Sequence, residues 1–125
     1  MGNEGGINWL AEPEEKNYPA AESYLSLIFG DDTVESLVNR LRNAPLKQFK
    51  AKDIFRASGL SLLGISNYHV EKDRKKIGEG KKLSPILLVC DEKKRAVIIA
   101  DGYHRLCAVY SMNEDENIPC KIVQL

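Results

Sequence analysis

The chain carries no surplus charge of either sign: among its 125 residues, eighteen Lys and Arg balance eighteen Asp and Glu. That balance argues against a non-specific binder of nucleic acid or of acidic membrane, and it shifts attention to where the charges sit. Cysteine is scarce as well. Cys90, Cys107 and Cys120 lie in apolar stretches, are odd in number and lack CxxC spacing. This argues against a disulfide framework and a zinc centre, and no metal site is expected. Their placement predicts small buried thiols in a reducing compartment. Long apolar runs are missing: no stretch reaches the roughly 18 residues that a membrane span requires. The opening MGNEGGINWLAEPEE is acidic where a secretory signal would be basic, and Gly6 stands where a myristoylation signal needs Ser or Thr. The expectation is a cytoplasmic protein with no membrane partner.

What is present is the composition of an ordinary globular protein, 43% apolar and 29% charged, in a chain long enough for one domain with a real core. We read residues 1–125 as a single domain in three parts. Residues 1–17, rich in Gly, Asn and Glu, are expected to form a loose arm anchored only through Trp9 and Leu10. Residues 18–45 read as a helical extension. Tyr24, Leu25, Leu27 and Ile28 mark a short helix ending near Gly30. Asp32 with Glu35 resembles a capping box in front of Val34, Leu37, Val38 and Leu41, which recur at the spacing of one helix face. Pro45 closes this second helix, because the residue before a proline is driven out of the helical region.

Residues 46–125 read as a core of mixed strands and helices. LKQFK alternates like a strand over 46–50, and a short helix follows over 51–58. Gly59 to Asn67 form a loop, entered through RASGL, where Arg56, Ser58 and Gly59 either shape a turn or make a polar lip. HVEKDRKKIGEG predicts a helix with Val70, Arg74 and Ile77 on one side and glycines 78 and 80 at its end. Tyr68 before it is placed to staple the helix start or to stack on a base. SPILLVC and RAVIIA, joined by a DEKK turn, are continuous apolar runs of fully buried strands. GYHRLCAVYSM predicts the last helix, with Leu106, Val109 and Tyr110 at the right spacing. NEDEN is a solvated connection, and IPCKIV predicts the closing strand. The order implies an α+β (mixed α/β) domain: a small mixed sheet with flanking helices and an N-terminal helical extension.

The stretch IADGYHRLCAVY, residues 99–110, bears the chemistry. A strand running through Asp101 and Gly102 into a helix leaves the first backbone N–H groups of that helix free at the sheet edge. There they and the positive end of the helix dipole attract an anion. Gly102 permits close approach, while His104 and Arg105 add directed donors, the guanidinium matching phosphate oxygens in pairs. Cationic side chains in a first turn oppose the dipole, and a bound anion would offset that. The alternative needs no ligand: Asp101 caps the helix and pairs with Arg105 while His104 is simply exposed.

The segment KKLSPILLVCDEKKRAVIIADGYHRLCAVYSMNEDENIPCKIVQL is a proline-containing apolar strand, a turn, a second strand, a Gly-x-x-Arg junction, a helix and a final strand beginning Ile-Pro. In that order it resembles the core of the ParB/sulfiredoxin superfamily, the ParB-like nuclease domain included. The likeness spans about residues 46–125 and leaves the N-terminal helices without a counterpart. The resemblance implies nucleotide phosphates bound at the junction by Gly102, Tyr103, His104 and Arg105, and on the preceding helix by His69, Lys72 and Lys76. His104 and Arg105 match the His-Arg pair of the sulfiredoxin Gly-Gly-Cys-His-Arg motif. Offsets of three, four and seven independently put His69, Lys72 and Lys76 on one helix face, although a lysine run is also commonly just solvated.

Two departures narrow the inference. Tyr103 replaces the sulfiredoxin catalytic cysteine, and a phenol cannot form the sulfur-linked intermediate; Cys107, one turn on, is expected to be packed in. The Arg-rich junction and the helix-turn-helix of chromosome-partitioning ParB proteins are missing. The resemblance also reaches small-molecule kinases that phosphorylate free serine through an Asp-Gly-His-x-Arg-like junction. In that case Asp101 and Glu71 are the candidate catalytic carboxylates. Three functions therefore stand. The first is a protein that binds ATP or another nucleotide, with or without Mg2+, or a phosphorylated small molecule, either as a plain binder or as a phosphotransferase or ATPase. The second is a non-catalytic module whose N-terminal helices take a protein partner or a second copy of the chain. The third is ParB-like DNA binding or nuclease activity, against which stand the neutral charge and the want of carboxylates at two-metal spacing.

Overall fold

In the computed structural model, which describes residues 6–63 and 67–125, the elements follow in the order α1 (Asn17–Leu25), α2 (Asp31–Asn43), β1 (Leu46–Lys50), α3 (Ala51–Ser58), α4 (Tyr68–Gly78), β2 (Ile86–Asp91), β3 (Ala96–Asp101), α5 (Tyr103–Met112) and β4 (Asn117–Gln124). The strands form one mixed sheet in the order β1-β4-β2-β3. β4 pairs antiparallel with β1 and parallel with β2, while β3 pairs antiparallel with β2 at the far edge. This is an α+β fold, a small mixed sheet with flanking helices and helices ahead of it, as the order of sequence patterns implies.

Continuous apolar strands need cover on both faces, and the helices supply it to β2, whereas β3, expected to be fully buried, has only Ile99 and Ala100 buried because it lies at the sheet edge. Side chains alternate along a strand with period two, so β2 sends Leu87 and Val89 to one face and Ile86 and Leu88 to the other. On the first face, Leu25 of α1 and Leu37 and Leu41 of α2 belong to a core that includes Ala100 and Val123. On the second, Ile54, Val70, Leu106 and Val109 from α3, α4 and α5 pack with Ile99, Ile118 and Cys120. Each fully buried Leu, Ile or Val contributes about 1.5–3 kcal/mol, and both helical layers are anchored in this way. Cys107 and Cys120 are buried and Cys90 is half-buried, all as free thiols.

Several local expectations are corrected. The arm is docked from Asn8 onward rather than loose. Trp9 bridges in parallel with Leu83, Leu10 N–H donates to Leu83 C=O at 2.8 Å, and Glu14 N–H donates to Ser84 Oγ at 3.0 Å. Residues 1–5 lie outside the described residues. α1 stops at Leu25, and Leu27 and Ile28 are exposed beyond it, because apolar spacing continues past the point where the backbone leaves the helix. α2 starts at Asp31 with Gly30 as an N-cap that has no side-chain bond. Asp32 therefore sits inside the first turn, where its charge suits the dipole, and makes no capping box. Tyr68 is 69% exposed and staples nothing. RASGL does make a turn: Gly59 takes φ 68°, and Ser58 Oγ donates to Phe55 C=O while accepting from Leu60 N–H. Residues 64–66 of the following loop fall outside the described residues. Among these residues no helix is long and apolar enough to cross a membrane.

One cation is used inside the fold. Lys121, in β4 and only 3% exposed, donates through Nζ to Arg42 C=O at 2.8 Å and pairs with Glu12 at 3.2 Å. A buried ammonium must be satisfied on several sides, and this one ties the N-terminal segment and the end of α2 to the sheet.

Candidate functional site

The edge strand β3 hands over to α5 through Gly102, whose φ of 112° belongs to the left-handed region. A Cβ there would stand 2.8 Å from Ile86 Cγ1 and 2.9 Å from Arg105 Nη2. Only glycine therefore fits both the turn and the close packing. Gly102 is also the N-cap of α5, its carbonyl accepting the first helical bond from Leu106 N–H at 2.9 Å, and among the described residues no side chain caps the helix. The amides of Tyr103, His104 and Arg105 thus carry the positive end of the dipole.

α4 brings a second set of donors. Its start is fixed by Asn67, whose Oδ1 accepts from His69 N–H at 2.9 Å and Val70 N–H at 3.3 Å. Val70 and Ile77 are buried, and Arg74 Nη1 donates to Ser111 Oγ of α5 at 2.6 Å. With that face anchored, the adjoining face lines a cleft of about 210 Å³ formed by His69, Lys72, Asp73 and Lys76 on one side and Asp101 through Arg105 on the other. The rings of His69 and His104 meet across it, 4.8 Å between centroids.

Arg105 turns back towards its own strand. Nη2 donates to Asp101 Oδ2 at 2.9 Å and to Pro85 C=O at 3.3 Å, and the two side chains are only 16% and 17% exposed. Arg105 Nε is buried with no hydrogen-bond partner among the described residues. Of the ligand-free reading, the Asp101–Arg105 pair is therefore present and the Asp101 cap is not. The carboxylate of Asp101 is largely occupied in holding the guanidinium beside Gly102.

Burial raises the proton affinity of Asp73, although Arg105, Lys76, His104 and Lys72 all pull it the other way. His104 is shifted down, first by burial and then by His69, with Asp73 opposing and Arg105 reinforcing. The Tyr103 phenol is shifted up by burial and by Cys107, and its hydroxyl donates to the Ser61 carbonyl. Cys107 is likewise pushed up, mainly by burial, which keeps it a thiol rather than a nucleophilic thiolate. Three permanent cations face two carboxylates in the cleft, and one of those carboxylates is already paired. An anion entering there meets free amides and lysines.

The cleft brings together His69, Lys72, Lys76, Asp101, Gly102, Tyr103, His104 and Arg105. It does not include Glu71. Two residues on from His69, Glu71 points about 200° around the helix and is exposed. The residue missed by sequence reasoning is Asp73, whose offsets of four from His69 and three from Lys76 put it on the same face. Among the described residues, no group of three or more His, Cys, Asp or Glu is arranged to hold a metal ion. Comparisons with family models, with curated proteins and with solved structures find no match.

Proposed function

We propose that this cleft binds the phosphates of a nucleotide, ATP or a relative of it, with the first-turn amides of α5, Lys72 and Lys76 as donors and the imidazoles of His69 and His104 beside them. The observation that carries the reading is an uncapped helix N-terminus facing a second helix whose lysines share the same cleft. The resemblance of residues 46–125 to the ParB/sulfiredoxin core points the same way. Arg105 contributes chiefly by fixing the junction, since its guanidinium is engaged by Asp101 and Pro85. A magnesium ion, if it accompanies the nucleotide, would have Asp73 as the nearby carboxylate and would neutralise phosphate charge.

Transfer to a hydroxyl acceptor would use Asp73 as the base, in place of Asp101, which Arg105 holds, and of Glu71, which lies outside the cleft. The acceptor oxygen bonds to the terminal phosphorus, the bond from that phosphorus to the bridging oxygen breaks, the hydroxyl proton passes to Asp73, and the nucleoside diphosphate leaves. Calorimetric titration with ATP tests the binding. Lys72→Ala and Lys76→Ala are each expected to weaken it by about tenfold or more, tenfold matching the low end, about 1.5 kcal/mol, of what a charge-assisted hydrogen bond contributes. Equal affinity in both variants and the unsubstituted protein would remove the cleft from consideration.

A further inference from the structure

A second cavity, about 390 Å³, opens on the other side of the junction and shares Asp101, Gly102, Tyr103 and His104 with the phosphate cleft. Its remaining walls are Ala20 and Tyr24 of α1, Leu60, and Ile99 and Ala100 of β3. Its own walls differ from those of its neighbour: aliphatic and phenolic surface in place of Lys72, Lys76 and His69. Tyr24 and Leu60 are 43% and 45% exposed, large apolar side chains left at the rim of a concavity of the size that small-molecule sites have, roughly 300–1,000 Å³. β3 is the edge strand of the sheet, and an edge strand offers backbone N–H and C=O groups that no neighbouring strand takes up.

We propose that this groove receives the base and sugar of the nucleotide, so that α1, through Tyr24, completes a ligand site whose phosphate half lies in the core. The inference rests on the reading given under Proposed function. Two concavities that meet at four shared residues, one cationic and one apolar, match a ligand with an anionic head and a planar aromatic body. Tyr24 and Tyr103 supply the aromatic surface on which a base stacks, and the β3 edge supplies the hydrogen-bonding groups that a base edge needs. A separate acceptor molecule in the groove would require the nucleotide to bind through its phosphates alone, and that difference is measurable.

The experiment is calorimetric titration of the full chain with ATP and with tripolyphosphate, repeated for Tyr24→Ala and Tyr24→Phe. ATP is expected to bind at least tenfold tighter than tripolyphosphate. Tyr24→Ala is expected to remove most of that margin while leaving tripolyphosphate unchanged, and Tyr24→Phe, which keeps the ring, to preserve it. Equal binding of the two ligands by the unsubstituted chain would overturn the base groove and leave the phosphate site intact. So would a Tyr24→Ala variant that holds ATP as tightly as before, or that weakens both ligands alike. If neither ligand binds at millimolar concentration, it is the phosphate reading itself that fails.

Discussion

The imidazoles of His69 and His104 lie 4.8 Å apart, centroid to centroid, one at the start of α4 and the other in the first turn of α5. Asp73 and Arg105 act on His104 with opposite signs. Burial and His69 hold His104 below its ordinary value of 6.5, so the folded state takes up this proton less readily than the unfolded state. The sign follows from linkage: the stability that the neutral ring confers is complete above the ordinary value and is lost as pH falls from there through the folded value. Denaturant midpoints recorded between about pH 7.5 and 5.5 are expected to fall, and His104→Gln is expected to flatten that fall. Phosphate should reverse the trend, because a bound anion favours the protonated ring.

Asp73 gives a prediction of the opposite kind. Burial lifts its proton affinity, so the ionised carboxylate is penalised in the fold above its folded value, and the penalty is relieved as pH falls through it. Asp73→Asn is therefore expected to fold at least as stably at neutral pH and to bind phosphate about threefold more tightly, since a negative charge leaves the cleft. If the site transfers phosphoryl groups, the same variant loses turnover while gaining affinity. Calorimetry and a coupled assay for nucleoside diphosphate separate the two effects.

Gly102→Ala tests the junction. The new methyl meets Ile86 and the Arg105 guanidinium at under 3 Å in a backbone region that alanine avoids. The expected cost is about 1–3 kcal/mol, read as a lowered denaturation midpoint, together with weaker binding of phosphate. A variant as stable as its parent would mean that the junction relaxes freely.

Arg105→Ala should act on stability before it acts on binding. It leaves the carboxylate of Asp101, 17% exposed, without its partner, at a cost of about 2 kcal/mol, between the values for surface and buried pairs. The double variant Asp101→Asn/Arg105→Ala is expected to recover part of this, because the uncompensated charge is gone. Lys72→Ala, on an exposed position, should stay within about 0.5 kcal/mol of the parent. Loss of binding there then reports the ligand and not the fold.

The fold was legible in the sequence wherever local pattern and tertiary need coincide. The apolar run around Ile86 marks a strand covered on both faces, the similar run around Ile99 does not betray that β3 is the edge strand, and the spacing of Leu106 and Val109 after Gly102 fixes α5. All seven residues expected at the phosphates line the cleft, and those on α4 reach it because Val70 and Ile77 pin the adjoining face of that helix. What stayed hidden depends on distant partners. Gly and Asn at the N-terminus say nothing of the bridge from Trp9 to Leu83, and no local rule sends a lysine such as Lys121 into the interior against Arg42 and Glu12. Glu71 and Asp73 carry the same charge on α4, and the turn of the helix gives the cleft to Asp73.

The central claim is that an anion sits at the start of α5, and an ATP titration followed through the backbone amide resonances tests it most directly. The largest shifts are expected at Tyr103, His104 and Arg105, with smaller ones at Lys72 and Lys76, all saturating together and weakening as salt rises. Resonances of Tyr103 to Arg105 that stay fixed while others move, or that stay fixed at millimolar ATP with every other signal, would contradict it.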